Sequence, residues 1–200
     1  MKLKKILKPQ YGIAIAPVIF AFSQVIILGY NWTLGGHFGD LKLTISRYVG
    51  LNLWTCILFA IYNLMIAFLM LRYYLYAYKN LSKIWLVLGI VQLVGFVGLS
   101  FLPHVEFPIG AKLFIVSAHI FLARMMFFAM FGMGLERLRL ACKSDNRNKY
   151  AAKICLAFLI YGIIYVTGYS LNLDFLWNTM LLWETGYIYA FVAMLILTRK

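Results

Sequence analysis

The sequence predicts an all-α fold: a polytopic integral membrane protein, a bundle of six transmembrane helices with both the N and C termini in the cytoplasm. Three observations carry that prediction. Of the 200 residues, 64% are hydrophobic and 12% are charged, whereas soluble domains run near half apolar and a quarter charged. The apolar residues gather into runs of about 20, the length that crosses a hydrocarbon layer about 30 Å thick. Basic residues flank these runs and seldom enter them.

The first run, at roughly residues 11–30, follows the basic start MKLKKILKPQ. A basic stretch before an apolar one also opens a signal peptide. This run has full spanning length and no small-x-small cleavage site near Tyr30, so it reads as a retained span. The second run, roughly 48–76, is longer than a bilayer needs, which permits tilt or projection. It ends in LRYYLYAYKN, the aromatic and basic composition of an interfacial anchor. The third, roughly 84–102, carries Gly89, Gly95, Gly98 and Ser100, a small-residue surface for close helix approach. The fourth, fifth and sixth lie at roughly 111–134, 151–171 and 176–197. Connections are short, so residues 1–200 form a single domain.

Charge sets the orientation. All but Lys42, Arg47, Lys112 and Arg124 of the 19 basic residues fall on the side holding both termini, which the positive-inside rule makes cytoplasmic. The loop ERLRLACKSDNRNKY is the most basic segment and is expected to lie against anionic lipid headgroups. The net charge of +13 comes with no nucleic-acid-binding motif, so no nucleic-acid partner is expected. Cys56, Cys142 and Cys155 show no CxxC spacing, which argues against a zinc site or a disulfide framework.

The informative residues are the polar ones inside the spans. Arg124, in SAHIFLARMMFFAMF, lies about 13 residues below the start of the fourth span, near mid-depth at 1.5 Å per residue. An unpaired arginine there costs at least about 2.5–3.5 kcal/mol, and both interfaces lie beyond easy snorkelling reach. Glu184, in LLWETGYIYAF, is the acidic residue inside a span. It is offset from Arg124 by roughly 7 Å along the axis, which leads to an expected Arg124–Glu184 pair, either a structural brace or part of a ligand site. His119, Asn52 and Gln92 complete a candidate ligand-binding set with Arg124 and Glu184, lining a polar cavity open to the outer side. Asn63, Ser100, Gln24 and Thr185 are expected to join helices by hydrogen bonds. The Met and Phe cluster MMFFAMFGM is read as packing and lipid-facing surface.

Catalytic signatures are weak. The chain has no HExxH, GxSxG or nucleotide-binding loop. His37 and Asp40, with His104 and Glu106, supply metal-ligand chemistry across two loops. Polar loop residues at a membrane surface are ordinary, however, so no metal and no cofactor is expected. Haem ligation would want two facing histidines.

The order of short motifs, LTISRYVG, GFVGLSFLPH, SAHIFLARMMFFAMF and WETGYIYAF, resembles the Frag/DRAM/Sfk-like group of six-span membrane proteins, including bacterial relatives of unknown function. Ser46, Gly50, Pro103, His119 and Glu184 match its pattern, while Arg47 and Tyr48 depart from it. The resemblance implies six helices, cytoplasmic termini, and roles in lipid-anchor remodelling, membrane organisation or autophagy-linked signalling.

The resulting expectation is a non-catalytic protein of a bacterial inner (plasma) membrane. It binds a lipid or small amphiphile in that cavity, or acts as partner to a membrane protein or to a second copy of itself. The alternatives are a lipid-modifying hydrolase or transferase using His119 as base, and a small transporter.

Overall fold

The computed structural model describes residues 8–34, 39–102, 109–143 and 149–198, and among these it is helical with no strand. Six helices are long and apolar enough to cross a membrane. They are α1 (Pro9–Thr33), α3 (Leu53–Ala77, continued by a 3-10 turn at Tyr78–Asn80), α4 (Lys83–Phe101), α5 (Ile109–Lys143), α6 (Lys149–Ser170) and α8 (Met180–Leu197). Two short helices, α2 (Ile45–Gly50) and α7 (Asp174–Asn178), precede α3 and α8.

Those short helices account for the later starts of the second and sixth spans, whereas the fourth runs on to Lys143, past its expected end at Gly134. The second span starts at Leu53, because Asn52 adopts an extended backbone and caps α3 by accepting from the Trp54 N–H at 2.8 Å. Residues 45–50 form a separate turn of helix with Thr44 as its own N-cap. The sixth span starts at Met180, after a break at Thr179. Asn172, with φ 52°, turns the chain between α6 and α7, a backbone conformation that asparagine tolerates well.

The spans pack as a ring in the order α1, α3, α4, α5, α6, α8, closing back onto α1. The α4–α5 contact is the most extensive, and the glycines of α4 explain why. A Cβ on Gly95 would lie 2.9 Å from the Leu122 carbonyl oxygen, so only glycine admits this backbone approach. Met126, Met130 and Met133 of α5 point into the core at 0–3% exposure, whereas Phe128 is 65% exposed on the lipid-facing side. Trp85 is fully buried with its ring edge-on to Tyr74 at 5.2 Å.

The bundle has two chemically distinct ends. Lys8 and Thr198, the first and last described residues, share one end with Lys79, Lys83, Arg139, Lys143 and Lys149. There Arg137 Nε donates to Thr198 Oγ1 at 3.1 Å, tying the end of α8 to α5. This is the basic end. The opposite, far end holds α2, α7 and the start of α8.

Candidate functional site

Glu184 sits one turn into α8, and its Oε2 accepts from the backbone N–H of Ile45 at 2.8 Å. The first N–H groups of a helix have no partner within it, and a carboxylate there is favoured by the helix dipole. The Thr44 hydroxyl accepts from Arg47 N at 3.3 Å and so caps a different N–H of the same helix. Glu184 therefore caps α2 from across the bundle. The expected Arg124–Glu184 pair does not form: Glu184 is committed to α2, and Arg124 faces outward from α5.

Other side chains fasten the same short helix. Asn31 Nδ2 donates to the Tyr48 carbonyl at 3.0 Å, and Thr55 Oγ1 to the Val49 carbonyl at 2.7 Å. The Tyr48 hydroxyl donates to the Asp40 carbonyl and accepts from Trp32 Nε1 at 3.1 Å. Burial pushes the Tyr48 phenol above its ordinary range, which keeps it a donor. Asn31 and Tyr48 help hold α2 in place, yet in the sequence Asn31 looks like part of a glycosylation sequon and Tyr48 like a departure from a motif. No local signal in either stretch reveals that they meet.

His119 is 6% exposed, with Nδ1 2.6 Å from the Leu102 carbonyl at the end of α4. In the Nδ1–H tautomer it donates to that carbonyl, one of the four that a helix C-terminus leaves open. This contact also sets a depth scale. The 19 residues of α4 extend about 28 Å, close to the hydrocarbon thickness, and His119 stands level with its far end. Helix α5 begins at Ile109, ten residues earlier, and so extends about 15 Å beyond the end of α4. Arg124 follows His119 by five residues, about 7–8 Å further along α5 from the level of the end of α4.

The remaining predicted residues are dispersed. Asn52 caps α3 and its Nδ2 donates to the Tyr30 hydroxyl at 3.3 Å. Gln92 accepts from the Tyr74 hydroxyl at 3.0 Å, joining α4 to α3. Asn63 donates to Ser100 at 2.8 Å and joins the same two helices. A central cavity of about 30 Å³ is lined by Gln92 among Phe20, Met70, Met126, Tyr189 and Phe191. By volume that space holds roughly one or two waters, and of the five candidate residues Gln92 alone lines it. His119, Arg124, Glu184, Asn52 and Gln92 are thus not gathered at one site. His37, His104, Glu106 and Pro103 lie outside the described residues, and no metal-binding group of His, Cys, Asp and Glu occurs among those described.

Arg124 is left as the exception. It belongs to the exposed stripe Ser117, Phe121, Arg124, Phe128 of α5 and makes no hydrogen bond or ion pair with any described residue. The polar cluster at the basic end is, by contrast, self-contained. Glu136, 6% exposed, accepts from Ser82 Oγ and from Arg139 Nε and Nη2, each at 2.6 Å. Ser82 in turn caps α4 by accepting from Trp85 N at 3.1 Å. The Ser82 cap was readable in NLSKIW, a serine directly before an apolar run; its partner Glu136 was not. Comparison with protein families, curated proteins and solved structures finds no match to this chain.

Proposed function

We propose that this chain is a non-catalytic integral membrane protein that acts through its lateral, bilayer-facing surface, binding a membrane lipid or amphiphile there, or a second membrane protein. The carrying observation is Arg124: an exposed guanidinium between Phe121 and Phe128 on a spanning helix face, with no acidic partner among the described residues. Intramembrane ionisable residues ordinarily pair with something. The other candidate polar groups already serve helix ends and helix contacts, and the central cavity is too small for a lipid. This favours a site on the outer wall of the bundle.

The basic end belongs in the cytoplasm on the positive-inside rule, and the setting that suits this chain is a bacterial inner membrane. Kinship with the Frag/DRAM/Sfk-like group stays part of the proposal and rests on motif order. The test is extraction of the wild type and Arg124→Gln from native membranes into polymer-bounded discs, followed by identification of everything that co-purifies. A lipid or protein present with the wild type and depleted from the variant supports the reading. Identical companions in both preparations overturn it.

A further inference from the structure

Resting on that reading, we propose that the occupant at Arg124 is the phosphate group of an anionic phospholipid in the far-end leaflet, held between the guanidinium and the Ser117 hydroxyl. Three pieces of geometry lead there. The first is depth. The His119–Leu102 contact sets His119 level with the end of α4, a helix of bilayer-spanning length, and Arg124, five residues further along α5, lies about 7–8 Å inside that level. Glu136, level with the start of α4 through its bond to Ser82, is twelve residues away, or about 18 Å. The guanidinium is much nearer the far interface.

The second is direction. Cα–Cβ bonds of a helix tilt toward its N-terminus, and long side chains follow. Helix α5 begins at the far end, so the tilt carries the Arg124 side chain toward the far headgroups. Glu184 shows the opposite economy, since its carboxylate is already engaged by α2. The third is the stripe itself. Ser117 lies seven residues before Arg124, two turns along the same face and about 10 Å nearer the far side. Both residues are exposed. A phosphate drawn between them takes charge-assisted N–H···O bonds from a planar guanidinium and a hydroxyl bond from the serine. Phe128, 65% exposed on this face, lies below for the acyl chains, and Phe121, 66% exposed, stands between the two polar residues as an apolar wall beside the phosphate.

A carboxylate on a second protein is the competing occupant. It would have to be buried at the depth of the Arg124 backbone, whereas the side chain rises away from that depth toward the interface. Lipid phosphate meets it where it goes.

The experiment is reconstitution of the full chain into nanodiscs of equal phosphatidylglycerol and phosphatidylcholine, followed by native mass spectrometry. The variants are Arg124→Gln, Arg124→Lys and Ser117→Ala, with Lys149→Gln as a basic-end control. Because Arg124 is exposed, Arg124→Gln is expected to match the wild type in thermal unfolding, which separates lost binding from lost fold. The expected result is retention of phosphatidylglycerol by the wild type, with one fewer bound in Arg124→Gln and partial loss in Ser117→Ala. Arg124→Lys should fall between, since an ammonium lacks the fork geometry. Free inorganic phosphate at high concentration should leave the bound lipid in place; displacement by it would identify a soluble anion as the ligand and overturn the lipid assignment. Equal lipid retention in wild type and Arg124→Gln overturns the phosphate proposal. If native-membrane extraction still shows a protein companion lost in that variant, the lateral-surface reading survives without it.

Discussion

Replacing Glu184 with alanine removes the acceptor that holds the first N–H of α2. That N–H belongs to Ile45, itself 6% exposed, and the Thr44 hydroxyl is committed to Arg47 N. No substitute is at hand within the helix. Leaving a buried donor unsatisfied costs about 1–3 kcal/mol, and we take about 2 kcal/mol as the expected local loss. Because α2 is only six residues long, it has little internal stability, so the loss falls on its attachment to the bundle. At 1.4 kcal/mol per factor of ten, amide exchange at residues 45–50 should speed up about 30-fold. Glutamine keeps an acceptor oxygen of the same reach and loses only the charge assistance, so Glu184→Gln should accelerate exchange several-fold less. The assay is hydrogen–deuterium exchange by mass spectrometry in detergent or nanodiscs, following peptides over 45–50 with peptides of α4 as internal reference. An Arg124→Ala variant serves as the decisive partner. If Glu184 caps α2, Arg124→Ala leaves α2 exchange unchanged, and the two substitutions act additively within about 0.5 kcal/mol in global unfolding. Wild-type exchange at α2 in Glu184→Ala, or an Arg124→Ala variant that reproduces its effect, would refute this account and restore a direct Arg124–Glu184 interaction.

Other substitutions separate the remaining contacts. His119→Phe keeps bulk but removes the bond to the Leu102 carbonyl, and should cost about 1–3 kcal/mol, read as a lower midpoint in thermal unfolding; an unchanged midpoint would count against the cap. Gly95→Ala drives a Cβ to 2.9 Å from the Leu122 carbonyl and should destabilise by about 1–3 kcal/mol through overpacking. Gly29→Ala meets nothing within 4 Å and should be neutral or stabilising by up to about 1 kcal/mol from helix propensity; equal effects at the two glycines would contradict the packing. Asn63→Leu breaks one interhelical bond to Ser100, worth about 0.6 kcal/mol in a membrane, and also removes an unsatisfied buried oxygen. Its melting curve should therefore stay close to wild type, and a collapse of the fold would show that the pair matters far more than its bond.

Much of the architecture was legible because a bilayer constrains it severely. A chain with recurring 20-residue apolar runs must satisfy its backbone internally, and spanning helices do that. The single carboxylate of LLWETGY and the lone arginine of SAHIFLARMM also stood out as polar atoms where hydrocarbon should be. Their pairing was the natural guess, since opposite charges of similar depth attract. It failed because of direction: Arg124 faces outward from α5 while Glu184 is turned to the Ile45 N–H, and the two helices also start at different levels, α5 beginning about 15 Å beyond the end of its neighbour α4. A residue count along one helix carries no information on where the adjacent helix stops.

By itself, then, the sequence determined the class, the number of helices long and apolar enough to span, and which end of the bundle is the more basic, because each follows from local composition summed over one bilayer thickness. Tertiary structure alone decided which polar groups are consumed and which stay open. Glu184 meets Ile45 across 139 positions, and His119 meets Leu102 across 17. Partnerships of that kind depend on the rotation and axial offset of whole helices, which packing at contacts such as Gly95 against Leu122 sets. Periodicity places Arg124 on a stripe of α5; only the assembled ring turns that stripe toward lipid.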